Sequence, residues 1–178
     1  MNNNPLLVCA LEAEFRCNSR KFDLLYTGVG KINAAISMTE FLCENPLPPY
    51  VINFGTAGSK KIPVGSLVDC TKFIQRDMDA SPLGFKVGQT PFEEDIEITF
   101  GREGVTCGTG DKFVTSLPAL KTDIVDMEAY AIAKVCKLKN IDFRCFKFIS
   151  DNADNEAKDD WVDNVSLGAK LFLSLIHI

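Results

Sequence analysis

Strand-length apolar runs alternate along this chain with segments of helical period, and a layered α/β domain is the architecture that accommodates that order. PLLVCAL (residues 5–11) and DLLYTGV (23–29) are apolar runs of strand length. KINAAISMTEFLCE (31–44) has helical spacing, with Ile32, Ala35, Ile36, Thr39 and Leu42 on one side. NPLPP stops it, because proline lacks a donor and restricts the residue before it. YVINF (50–54) reads as a buried strand ending in the turn GTAGS, and SLVDCTKFI (66–74) as another. A polar, glycine-rich stretch covers 76–95, and IEITF and GVTCGTG then read as a pair of short strands around GRE. TDIVDM leads from a strand into the helical AYAIAKVC, and FRCFKFIS (143–150) is strand-like again. A last helix is expected from about residue 160 to 175, with Trp161, Val165, Ala169 and Phe172 on one side. The expected fold is three-layer α/β/α around a central mixed, largely parallel sheet. Residues 1–178 read as a single domain, without repeat or linker.

Composition narrows the function. A net charge of −5, with lysines scattered, argues against nucleic acid or an anionic membrane as partner. No apolar run approaches the roughly 18 residues of a membrane span, and MNNNPLLVCALEAEF lacks the basic start of a signal peptide. The seven cysteines are odd in number and form no CxxC pair, so reduced thiols in a cytoplasmic protein are expected, with no metal and no cofactor. The only histidine is His177, in LIHI. Chemistry therefore falls to carboxylates, hydroxyls or a cysteine, and no histidine is placed to activate a cysteine.

Open α/β sheets bind ligands beyond the carboxyl ends of their strands. Five places qualify: Glu12 and Glu14 after the first strand, the turn 55–58, the turn 108–113, the junction from Asp126 to Glu128, and Ser150 with Asp151. Residue by residue these remain ambiguous. Glu128 is either a helix N-terminal acid or a ligand for a hydroxylated substrate. Asp151 either bears chemistry or starts a turn, since SDNADNEAKDD is rich in capping residues. Phe113 at a strand end is ordinarily core, and Glu12 and Glu14 could simply be solvated. GVGK (28–31) lacks the spacing of a phosphate loop, and its glycines suit a tight strand-to-helix turn.

Taken in order, ALEAEF, YTGVGKINAA, VINFGTAGS, VGSLV, GDKFV, VDMEAYAIAKVC and FKFISDNAD resemble the nucleoside phosphorylase and nucleosidase superfamily, and within it the 5′-methylthioadenosine/S-adenosylhomocysteine nucleosidases. The resemblance implies a purine nucleoside as substrate and assigns roles by position. Glu14 is the water-activating carboxylate, with Glu12 a second acid nearby. Thr56 lines the water site beside Ala57 and Gly58. Phe113 stacks on the purine, and the main chain of Val114 meets the base edge. Met127 packs under the sugar and Glu128 takes the ribose hydroxyls. Ser150 and Asp151 face the base, Asp151 as the acid toward N7. PLGFKVGQTP (82–91) resembles a loop that crosses to a neighbouring subunit, so Leu83 and Pro91 would wall the partner's pocket in a homodimer. The chain is a trimmed version, with the hairpin before LLYTGVG and a helix before GVTCGTG curtailed.

That chemistry has clear demands. A departing purine should be protonated, and an oxocarbenium-like sugar favours negative charge beneath it and an aimed water. Two carboxylates on opposite sides of the bond supply both, as in inverting glycosidases. Asp151 follows the apolar FKFI, where desolvation would raise its pKa enough to serve as the acid. An ionised Glu128 can accept from two adjacent hydroxyls, and a helix N-terminus would favour its charge. Hydrolysis and phosphorolysis differ in the nucleophile. The acids of ALEAEF, and the lack of an arginine before FGTAGS, favour water over phosphate. A phosphate-dependent phosphorylase and a non-catalytic nucleoside-binding protein remain the alternatives.

Overall fold

The computed structural model describes residues 4–17, 20–101, 103–115 and 120–175; His177 lies outside them. The strands are β1 (Leu6–Cys9), β2 (Asp23–Tyr26), β3 (Tyr50–Gly58), β4 (Leu67–Gln75), β5 (Glu97–Thr99), β6 (Val105–Thr109), β7 (Ile124–Asp126) and β8 (Asp142–Asp151). The helices are α1 (Lys31–Glu44), α2 (Ala129–Lys139), α3 (Ala157–Asn164) and α4 (Gly168–Leu175).

The sheet is mixed, as expected, and part of it closes on itself. β2, β1, β3 and β8 run parallel; β8 then pairs antiparallel with β4, and β4 pairs parallel with β6 and antiparallel with β5. β6 pairs with β7, and β7 returns to β3 through the single pair Gly58↔Val125. Strands β3, β8, β4, β6 and β7 thus form a ring. The two short strands around GRE are present as β5 and β6, but they do not pair with each other; both add to β4, whose nine residues are long enough to take two neighbours.

Alternation along the strands sorts the core into two layers. Leu6 and Val8 of β1 join the cluster under α1 and α2, with Phe143, Cys145 and Ile149 of β8. Leu7 and Cys9 face the other way, into a cluster with Phe15, Phe54 and Phe172 of α4. There the Phe54 and Phe172 rings stack with centroids 4.4 Å apart.

Two helical expectations need correction. α1 buries Ala34, Met38 and Leu42, while Ile32 and Ile36 are 71% and 51% exposed. The helix carries apolar residues on both sides, and the side with Ala34, Met38 and Leu42 is the one that joins the core. The C-terminal helix is two helices, α3 and α4. The break lets α4 turn onto β8, and Gly168 permits this: a Cβ there would lie 2.5 Å from Phe148 Cβ. Val165 and Leu167 lie outside both helices.

Candidate active site

The carboxyl ends of β1, β3, β6, β7 and β8 open into one cavity of about 510 Å³. Glu14, Thr56, Ala57, Gly58, Phe113, Val114, Met127, Glu128, Ser150 and Asp151 all line it. Glu12 does not. Its side chain is 60% exposed and pairs with Arg16 at 3.0 Å on the surface. Leu83 is 76% exposed, and neither it nor Pro91 lines this cavity.

Glu14 is 5% exposed and held in a tight turn after β1. Its Oε2 accepts from the Leu11 N–H at 3.2 Å, and its Oε1 accepts from both the N–H and the hydroxyl of Thr56 at 2.8 Å. Gly55 makes room for this carboxylate, since a Cβ would lie 3.1 Å from Glu14 Oε1 and 3.3 Å from Lys147 Nζ.

Asp151 closes β8 beside a bulge. The register with β3 passes from Ala57↔Ile149 to Gly58↔Asp151, leaving Ser150 as the extra residue. Bulges re-aim side chains, and this one buries Ser150 and Asp151 together. The Ser150 hydroxyl donates to Asp151 Oδ2 at 2.8 Å and the Ala153 N–H to Oδ1 at 2.9 Å. Burial nevertheless pushes the Asp151 pKa above its ordinary value, with Asp160 and Asp154 adding to the rise. Gly58 makes room for this carboxylate: a Cβ would sit 2.5 Å from Asp151 Oδ1 and force it to shift.

The two carboxylates around Met127 divide their labour. Asp126 is structural: its Oδ2 accepts from the N–H groups of Glu128 (3.3 Å) and Ala129 (2.8 Å), and so caps α2. Thr109 donates to Oδ1 at 2.5 Å, and Lys147 Nζ lies 2.9 Å from Oδ2. Burial opposes charge on both partners. Their mutual attraction prevails, holding Asp126 below and Lys147 well above their ordinary ranges. Glu128 turns to the cavity, its Oε1 accepting from the Gly30 N–H at 2.9 Å. It precedes α2, yet its pKa is pushed up to about 7 by burial and the neighbouring Asp126, with Glu14 adding. The helix terminus was expected to favour its charge, but desolvation and like charge outweigh that effect.

Phe113, 40% exposed, sits on a loop fixed from two sides. The buried Arg76 guanidinium donates to the carbonyls of Gly108 (3.2 Å), Gly110 (3.2 Å) and Lys112 (2.6 Å). Asp111 accepts from the Lys31 N–H at 2.8 Å, and its own N–H donates to Asp77 at the same distance. The Lys31 ammonium pairs with Asp77.

Among the lining or supporting residues that sequence reasoning missed are Arg76, Lys147, Lys158 and Trp161. Lys147 had a signal, since it falls in phase with the inward Phe143, Cys145 and Ile149, where a charge requires a counter-charge. Trp161 was recognised only as a core-facing helical residue. It lines the cavity, and its indole N–H donates to Thr56 Oγ1 at 2.9 Å. The cysteines are all free, five of them buried, and burial raises the thiols of Cys107 and Cys136 to about 12, far from nucleophilic.

The phosphorylase superfamily model matches residues 18–177. A 5′-methylthioadenosine/S-adenosylhomocysteine nucleosidase of Haemophilus influenzae (strain PittEE) is 31% identical over 190 aligned positions, covering 92% of this chain and 82% of the relative. Those positions outnumber the 178 residues here, in keeping with a trimmed chain. Among solved structures, the Helicobacter pylori 5′-methylthioadenosine/S-adenosylhomocysteine nucleosidase with butyl-thio-DADMe-Immucillin-A superposes with a TM-score of 0.85 at 21% identity, over 99% of both chains. The futalosine hydrolase of H. pylori strain 26695 gives 0.84 at 20% identity, over 98% of both. These two establish the shared fold. With the superfamily model matching residues 18–177 and a relative 31% identical over 92% of this chain and 82% of its own length, the chain belongs to the phosphorylase superfamily, in its 5′-methylthioadenosine/S-adenosylhomocysteine nucleosidase family.

Proposed function

We propose that this protein hydrolyses the N-glycosidic bond of purine nucleosides, with 5′-methylthioadenosine or S-adenosylhomocysteine as substrate and adenine as the released base. The observation that carries the reading is the convergence of Glu14, Glu128 and Asp151 on one cavity with Phe113 and Met127. Burial raises the pKa of Asp151, a shift in the direction that a general acid toward N7 of the leaving base requires. Glu14 accepts a proton from the attacking water and, with Glu128, places negative charge against the cationic sugar. Glu128 Oε1 already takes the Gly30 N–H, and the remaining acceptor positions of the carboxylate suit two ribose hydroxyls.

Water is favoured over phosphate as nucleophile by the disposition of the one arginine lining the cavity among the described residues. Arg76 directs its donors at three backbone carbonyls rather than outward. Base release from 5′-methylthioadenosine in phosphate-free buffer is the test. Strict dependence on phosphate, with a sugar 1-phosphate as product, would turn the assignment to a phosphorylase.

The chain is further inferred to act as one domain in the cytoplasm and as a homodimer. Supporting the dimer are the exposed apolar residues Leu83, Phe92 and Ile32. Leu83 and Pro91 are the residues inferred to reach the partner's pocket. Supporting the compartment are seven unbridged cysteines; no helix among the described residues is long and apolar enough to cross a membrane.

A further inference from the structure

The sole tryptophan of the chain is wired to the base that activates water. An indole N–H can only donate, and a threonine hydroxyl has a single hydrogen. Trp161 Nε1 lies 2.9 Å from Thr56 Oγ1, and Thr56 Oγ1 lies 2.8 Å from Glu14 Oε1. The polarity of this chain follows: Thr56 accepts from Trp161, so its own hydrogen points to Glu14. The Thr56 N–H donates to that same oxygen at 2.8 Å. Oε1 is therefore doubly occupied, while Oε2 holds only the longer bond from Leu11 at 3.2 Å.

We infer that Trp161 is a positioning residue for hydrolysis: through Thr56 it fixes Glu14 so that Oε2 is the oxygen that receives the proton of the attacking water. The inference rests on Glu14 being the water-activating base. It makes the seating of α3 part of the catalytic apparatus. A second contact supports that seating, since Asn164 Nδ2 of α3 donates to the carbonyl of Ser150 at 2.9 Å. In the hydrolytic step the water's O–H breaks as its oxygen bonds to the sugar carbon. The proton passes to Glu14 Oε2, and the electron pair of the cleaved glycosidic bond leaves with the purine, which Asp151 protonates.

The experiment separates the N–H from the ring. Trp161→Phe keeps an aromatic wall and removes the donor. It should lower kcat by roughly 3–10-fold, the equivalent of one lost hydrogen bond, with KM and adenine affinity changed less than about twofold. In a Thr56→Val background Trp161→Phe should add no further loss, because the relay is already cut; Thr56→Ser should restore wild-type behaviour. Independently of activity, the single indole N–H resonance should exchange with solvent at least about tenfold faster in Thr56→Val than in wild type, which keeps the question answerable if Trp161→Phe folds poorly. Full kcat in Trp161→Phe, equal losses in both Thr56 backgrounds, or unchanged indole exchange would each overturn this inference alone. Wild-type protein that releases no base would overturn the nucleosidase reading, and this inference with it.

Discussion

Asp151 and Glu128 are both carboxylates pushed upward by burial, yet the proposed hydrolysis asks opposite things of them. Asp151 must hold its proton until the base departs, so Asp151→Asn should lower kcat by roughly 10²–10⁴-fold while leaving adenine binding measurable by equilibrium titration. Glu128 must be ionised to accept two hydroxyls. With its pKa at about 7, kcat/KM should rise with pH through that region. In Glu128→Gln that ascending limb should vanish and KM should increase. Both effects follow from position, and position was what the sequence conveyed best: every residue assigned to the nucleoside within this chain's own pocket lines the cavity. The protonation behaviour of Glu128 was not legible, because it depends on Asp126 and Glu14 arriving from elsewhere in the fold. Nor was Lys147's role, although its phase on β8 hinted at it. Replacing Lys147 by Met should cost about 3–5 kcal/mol in urea unfolding, since it leaves the carboxylate of Asp126 buried without its counter-charge.

At the level of elements, polar contacts fix residues 110–112 of the loop that follows β6. Asp111 ties it to the first turn of α1, and Arg76 clamps its carbonyls. Asp111→Ala should therefore raise KM for the nucleoside several-fold more than it changes kcat, because Phe113 loses its fixed placement over the base. The strand and helix order was readable because period and length set it locally. Partners were less so. β5 and β6 flank β4 instead of each other, and the last helix divides where Gly168 meets Phe148. Both outcomes depend on long-range approach, which a periodic pattern does not encode. The outward Ile32 and Ile36 mark a similar limit, for a helix with two apolar sides does not declare which one faces the sheet.

For the molecule as a whole, the buried acids make stability depend on pH in two opposing ways. Between about 4.5 and about 7 the folded protein binds the Glu128 proton more tightly than the unfolded chain does. Its contribution is therefore present at the acidic end and declines as pH rises through that window. Asp126 has the opposite sign: burial opposes its charge, Lys147 outweighs that, and its stabilising contribution is lost as pH falls below the usual aspartate range. Urea midpoints of wild type should thus fall relative to those of Glu128→Gln between pH 5 and pH 8, by the equivalent of about 1–3 kcal/mol. If the homodimer forms, sedimentation should give twice the chain mass, and Leu83→Glu should reduce it to one. The closed ring of β3, β8, β4, β6 and β7 has one more consequence. With the ring joined to itself, if only by one pair between β3 and β7, the strands at the two ends of the sheet order are β2 and β5, four and three residues long. Margins that short offer little template for an incoming foreign strand, and a domain built this way should stay dispersed at high concentration instead of growing fibrils.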